Sequence, residues 1–143
     1  DARAYMVLLE AMATASATLP LEERREINKL ALTHLESALQ ALKGRLSGLE
    51  KERLLTKTVA VYAQSMDVPA TFDLLDFFDA EGVLPSAQTY VELLNLHERC
   101  ADGTSALMCI KKMINQGISP SPNFFGRAAM AMIRAHDSEG ALN

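Results

Sequence analysis

The chain has 143 residues, of which 49% are hydrophobic and 6% aromatic, with no tryptophan. This composition, rich in Ala, Leu and Met, favours helices over strands, and the length suffices for one well-buried domain or a stack of helix pairs. The net charge of −4 argues against a protein that binds nucleic acid through its overall charge, because such proteins are usually basic.

Several other classes are also disfavoured. The two cysteines, Cys100 and Cys109, make no disulfide framework, and no Cys/His cluster suggests zinc. No apolar run is long enough to span a bilayer. No nucleophile–base pair or phosphate loop stands out, so we expect neither an enzyme nor a bound cofactor. No signal or transit peptide is visible. Since the chain starts at Asp1 rather than Met and stops early in a predicted helix, we expect a processed or trimmed piece of a longer protein.

The first third of the chain predicts two helices. Apolar spacing indicates a helix over residues 2–15, broken at Pro20, and a long amphipathic helix over residues 21–42. Gly44 and Gly48 then predict a loop.

The middle of the chain predicts two shorter helices. A helix over residues 54–65 is followed by a turn at Asp67, and Pro69 suits the start of the next helix, over residues 70–80. Gly82 is expected to end that helix in a left-handed conformation, and Ser86 is a candidate N-cap for the helix after it.

The last third continues in the same way. After a helix ending near Arg99, the turn at residues 102–103 leads to a helix that we expect Thr104 to cap. Gly117 ends that helix, and Asn123 is the candidate cap of a helix reaching about residue 135. Asp137 then predicts the start of a further helix, cut short by the chain end.

One segment occurs twice at an offset of 35 residues: residues 82–86 (Gly-Val-Leu-Pro-Ser) return as residues 117–121 (Gly-Ile-Ser-Pro-Ser). The same offset carries Tyr90 onto Phe125 and Arg99 onto Arg134. A fixed period of this size is typical of a solenoid. The sequence therefore predicts an all-α, right-handed solenoid of antiparallel helix pairs, with an irregular pair at 1–51, repeats at 52–86 and 87–121, and a truncated repeat at 122–143.

These repeats resemble the pentatricopeptide repeat family. The resemblance lies in an aromatic residue early in the first helix (Tyr90), an Ala-Leu pair early in the second helix (residues 106–107), a late Met113, and the closing Gly117 and Pro120. It covers residues 52–143 and is strongest over 87–121. Tetratricopeptide repeats are the nearest alternative, but they repeat every 34 residues and usually place proline differently.

The resemblance implies a binding module of an RNA-associated protein of mitochondria or plastids. Such a protein acts in RNA processing, RNA stability or translation, or is a component associated with the ribosome. Such proteins read one base of single-stranded RNA per repeat, with the residue after the first-helix aromatic and the residue after the turn proline. In this chain those positions hold Thr56 with Ser86, Val91 with Ser121, and Gly126. Because Val91 and Gly126 offer no side-chain hydrogen bond, we expect contacts with the RNA backbone or shape more than with bases.

The family also places a cation near the end of the first helix, facing phosphate. Gln64, Arg99 and Arg134 occupy that position, and the two arginines could contact a phosphate backbone. The alternative is a protein–protein interaction scaffold that uses the same concave surface without RNA, or that holds a partner within a larger assembly. A catalytic domain elsewhere in a longer chain is a third alternative.

The remaining candidates have simpler interpretations. Asp73, Asp76 and Asp79 on one helix could hold a cation or a basic partner, but a solvated face is the stronger interpretation. His97 could line the concave face beside Arg99. The seven methionines are expected to fill the core.

Overall fold

The computed structural model describes the backbone of residues 1–142 and the side chains of residues 1–136. Within that part α-helices are the only regular secondary structure, so the predicted all-α class is confirmed. The chain divides into two compact units, the first spanning Asp1–Ser86 and the second beginning at Ala87. The first unit contains α1 (Ala2–Ala17), α2 (Leu21–Ala41), α3 (Gly48–Ala63) and α4 (Val68–Ala80); the second contains α5 (Ala87–Arg99), α6 (Gly103–Asn115) and α7 (Pro122–Leu142).

Helix α3 is the centre of the first unit, since it packs against α1, α2 and α4. Its apolar face, with Leu54, Leu55 and Val59 fully buried, supplies much of the core. Arg24 ties the helix ends together: its guanidinium donates to the carbonyl oxygens of Leu19, Ala17 and Gln64 at 2.7, 3.0 and 2.8 Å. These bonds satisfy acceptors that the ends of α1 and α3 cannot pair within their own helices.

In the second unit, α5 packs against both α6 and α7, and α6 also packs against α7. Leu93, Leu94 and Met113 are buried between these helices. Tyr90, at 2% exposure, donates its hydroxyl to Oε1 of Gln116 at 2.7 Å. The aromatic residue early in α5 is therefore held by the end of α6.

The turns that follow α4 and α6 have the same backbone geometry at an offset of 35 residues. Gly82 has φ +71° and Gly117 has φ +88°, the left-handed region that favours glycine. The amide of Val83 donates to the carbonyl of Phe78 at 3.0 Å, and that of Ile118 donates to the carbonyl of Met113 at 2.9 Å. Both turns thus close with the long hydrogen bond of a Schellman motif.

The turns that precede α4 and α6 match at the same offset. Met66 has φ +59° and Ala101 has φ +53°, although neither is glycine. An aspartate N-cap follows each of them. Asp67 accepts from the amide of Ala70 at 3.2 Å, and Asp102 accepts from the amide of Ser105 at 3.0 Å.

Four predicted helix boundaries are wrong. Helix α3 begins at Gly48 rather than residue 54, because Ser47 and Glu50 form a capping box before it. Asp102, not Thr104, caps α6. Asn123 lies inside α7, which begins one residue earlier. No new helix starts at Asp137, since α7 continues to Leu142.

The prediction that the methionines fill the core holds only in part. Met113 is fully buried, but Met108, Met130 and Met132 are between 41% and 46% exposed. Phe125 is 51% exposed, whereas its counterpart Tyr90 is covered. Within the described residues, no helix combines the length and the hydropathy that crossing a membrane requires.

Candidate nucleic-acid interface

The three predicted positions after the first-helix aromatic lie on different helices and in different surroundings. Thr56 on α3 is half-buried, and its hydroxyl donates to Oε1 of Glu52 at 3.3 Å. Val91 on α5 is also half-buried. Gly126 on α7 is exposed, and a Cβ added there would meet no heavy atom within 4 Å. None of the three presents an exposed polar side chain.

The positions after the turn prolines lie directly before helices. Ser86 is half-buried at the end of the first unit, and Ser121 is exposed immediately before α7. Both therefore precede a helix start, where backbone amides point outward and favour anions.

The predicted phosphate-facing positions differ in how the structure uses them. Gln64 is the C-cap residue of α3, and its carbonyl accepts from Arg24. Arg99 is the last residue of α5, and its side chain is exposed. Arg134 is also exposed but lies within α7, more than one turn before that helix ends, so its predicted place at a helix end is wrong. The reason is that α7 does not stop near residue 135.

Arg134 pairs with Glu98 and therefore lies near the C-terminal end of α5, where Arg99 is the last residue. The Arg134 guanidinium is 3.4 Å from Oε1 of Glu98 and also donates to the Glu98 carbonyl at 3.4 Å. Arg127 lies on the same face of α7 as Arg134. Its guanidinium is 3.9 Å from Oε2 of Glu98 and donates to Oδ1 of Asn95. Two arginines, Arg127 and Arg134, thus share the single carboxylate of Glu98, so the group as a whole is cationic.

Sequence reasoning missed the roles of Arg127 and Glu98. Arg127 and Arg134 are seven residues apart, which puts them on one helix face and was the available signal. Only packing of α5 against α7 shows that this face meets Glu98. The result defines a cluster, here called the Glu98 cluster, of Asn95, Glu98, Arg127 and Arg134.

The sequence suggested that His97 could line the concave face beside Arg99. In the structure His97 is instead fully buried. Burial lowers the pKa of His97 to about 4, and the nearby Asp102 carboxylate opposes that shift only in part. The imidazole is therefore neutral at physiological pH and acts as a core residue.

The other titratable candidates form neither a metal site nor an activated thiol. Asp73, Asp76 and Asp79 are exposed on α4, as the solvated-face interpretation predicts. Across the residues with described side chains, no group of three or more His, Cys, Asp or Glu could hold a metal ion. Burial raises the pKa of the Cys109 thiol to about 12 and also raises that of Cys100. Neither thiol is activated as a nucleophile, because only the thiolate reacts.

Comparison of the chain with protein-family models, with curated proteins and with solved structures gave no match.

Proposed function

We propose that this chain is a non-catalytic binding module of the pentatricopeptide type, built from helix pairs of a right-handed solenoid with a 35-residue period. It would contact single-stranded RNA or a ribonucleoprotein in a mitochondrion or plastid. The observation that carries the proposal is the match at one offset of both kinds of turn: Met66 with Ala101, and Gly82 with Gly117. Matching turns at a fixed spacing are what a repeat architecture requires.

In this proposal the RNA contacts are made through phosphate more than through bases. Val91 and Gly126 cannot hydrogen-bond a base edge, whereas Arg99 and Arg134 are exposed at the C-terminal end of α5. An exposed ion pair is worth about 1 kcal/mol or less, so a phosphate can replace Glu98 as the partner of Arg134 at small cost. The charge of the second unit supports this role, because residues 87–143 contain five acidic and five basic residues and so carry no net repulsion for RNA.

The test is the salt dependence of binding to a labelled single-stranded oligoribonucleotide. Each phosphate contact with a single strand adds about 0.7 to the slope of log affinity against log salt concentration. We expect Arg99→Ala combined with Arg134→Ala to weaken binding at least about tenfold and to lower the slope by about 1.4. Lys111→Ala combined with Lys112→Ala is the matched control, since it removes the same charge from exposed positions on α6.

Equal effects of the two double variants would contradict the proposal, because they would show attraction by overall charge alone. Absence of RNA binding at low salt would favour the second candidate function, a protein-interaction scaffold on the same surface. The ion pair between Arg134 and Glu98 favours that candidate, because it already occupies one of the two proposed phosphate-binding arginines.

A further inference from the structure

A groove runs along the first unit between α2 and α4, and α3 forms its floor. Two adjoining cavities of about 520 and 200 Å³ share Leu32, Tyr62 and Ala70. A third cavity, of about 490 Å³, shares Phe77 with the second. We call these three cavities together the α2–α4 groove.

The length of the groove fits a helix. At one end it is lined by Glu22 and Asp67, near the starts of α2 and α4, and at the other by Lys43 and Glu81, just beyond their last residues. The two walls therefore run in the same direction. From Glu22 to Lys43 the wall is about 30 Å long at 1.5 Å per residue, which matches a helix of about 20 residues.

The middle of the groove is apolar. Leu32 projects from α2, Leu74 and Phe77 from α4, and the Tyr62 ring lies between the two walls. Leu32 and Phe77 are only half-buried, so their side chains still have apolar surface to cover. An amphipathic helix can bind in such a groove by packing its apolar face against the half-buried apolar residues.

Carboxylates face this apolar stretch from both walls. Burial raises the pKa of the Tyr62 phenol, and the charges of Asp73 on α4 and Glu36 on α2 raise it further, which places both carboxylates near the ring. No cation among the described residues lies within salt-bridge distance of Glu36 or Asp73. The acidic and basic counts point the same way, since residues 1–86 contain 13 acidic and nine basic residues.

Asn28 lines the first cavity and carries a buried acceptor without a partner among the described residues. Asn28 is 6% exposed, and its Nδ2 donates to Oγ of Ser65 at 2.8 Å, but its Oδ1 has no hydrogen-bond partner within the described part of the chain. Ser65 donates its own hydroxyl to the Tyr62 carbonyl at 2.7 Å, so it accepts from the Asn28 amide nitrogen. That arrangement fixes the amide orientation and leaves an acceptor that requires an N–H or O–H donor.

We propose that the α2–α4 groove binds a basic amphipathic helix of a partner protein. The apolar face of that helix covers Leu32, Tyr62 and Phe77, and its Lys or Arg side chains pair with Glu36 and Asp73. This site lies wholly within the first unit and does not depend on RNA contact by the second.

The test uses a designed, labelled helical peptide of about 20 residues, with Leu on one face and Lys and Arg on the other, and a second peptide with Glu at every basic position. We expect the full chain to bind the basic peptide and to show no comparable affinity for the acidic one. Asp73→Lys should weaken binding of the basic peptide at least about tenfold, equivalent to about 1.4 kcal/mol. The control Asp76→Lys, on the same helix but outside the groove lining, should change it less than about twofold.

A second pair of variants tests the apolar part. Leu32→Glu in the groove should abolish peptide binding, whereas Leu30→Glu, at a position that is 58% exposed and lines none of the three cavities, should not. Thermal unfolding monitored by circular dichroism verifies that each variant is folded. Equal binding of the two peptides, or equal effects of Asp73→Lys and Asp76→Lys, would overturn the proposal. So would displacement of the peptide by single-stranded RNA, or conversion of a dimer to a monomer by Leu32→Glu, because either would assign the groove another occupant.

Discussion

Gly103 and Met132 hold α6 and α7 at a distance that leaves no room for a side chain at residue 103. A Cβ added to Gly103 would lie 2.7 Å from Cγ of Met132 and 2.8 Å from its Cα. The second of these atoms belongs to the backbone, so α7 itself would have to move. The glycine therefore serves close packing between helices rather than the turn that the sequence suggested.

We expect Gly103→Ala to lower the free energy of unfolding by about 1–3 kcal/mol, the usual cost of forcing extra atoms into a packed contact. Chemical denaturation followed by circular dichroism measures it. Gly126→Ala is the matched control, because a Cβ there meets nothing within 4 Å. In the interior of α7 it should raise the unfolding free energy by about 0.5–1 kcal/mol. An unchanged or raised stability of Gly103→Ala would show that the contact with Met132 is loose.

Neutralising Glu98 should strengthen RNA binding. Glu98→Gln removes the anion that competes with phosphate for Arg127 and Arg134, and we expect affinity for a single-stranded oligoribonucleotide to rise several-fold. The stability cost should stay within about 1 kcal/mol, because the arginines are partly exposed. Glu92→Gln on the same helix is the control for loss of one negative charge. If both substitutions raise RNA affinity equally, the Glu98 cluster has no particular part in binding.

Stability should decrease on acidification through the titration of His97. The unfolded chain binds a proton with the ordinary pKa of 6.5, whereas the folded chain binds it only near a pKa of about 4. The contribution of the neutral His97 to the free energy of unfolding is therefore fully present above pH 6.5. It is lost as the pH is lowered toward 4, by up to about 3 kcal/mol. Denaturation curves measured across this range test the effect.

The contribution of His97 is isolated by two variants. His97→Leu should flatten the pH dependence between 6.5 and 4, while His136→Gln, at an exposed position, should leave it unchanged. A wild-type curve that is already flat in this range would contradict the assignment of a buried, neutral imidazole.

Ala101 offers a gain in stability, because its φ of +53° is unfavourable for any residue with a Cβ. We expect Ala101→Gly to raise the free energy of unfolding by up to about 1 kcal/mol, after allowing for the greater freedom of glycine in the unfolded chain. The same exchange at Ala129, exposed within α7, should have the opposite sign and cost about 1 kcal/mol. If Ala101→Gly and Ala129→Gly lowered the free energy of unfolding by the same amount, the left-handed conformation of Ala101 would carry no strain.

Much of the helical order was predictable because local residues determine it. Gly82 was expected to end α4 in a left-handed conformation and does so, and Gly117 ends α6 as predicted, in the same conformation. Asp102 shows the limit of this reasoning, since Asp102 and Thr104 are both ordinary cap residues and the sequence alone favoured the wrong one.

The features that could not be predicted depend on contacts between residues distant in the chain. Burial of His97, the approach of Met132 to Gly103 and the pairing of Glu98 with Arg134 all arise from α5 or α6 meeting a neighbouring helix. A single sequence gives the face of a helix but not what lies opposite that face.

The joint between α5 and α6 is closed by atoms that are very near one another in the chain. The amide of Asp102 donates to the carbonyl of His97 at 2.9 Å, and Asp102 in turn caps α6 through Ser105. Every partner in this joint lies within nine consecutive residues. In the repeat architecture that we propose, a duplication or deletion of genetic material in steps of 35 codons would therefore carry such a joint along whole, and the chain could lengthen or shorten in evolution without disrupting the turn between two helices.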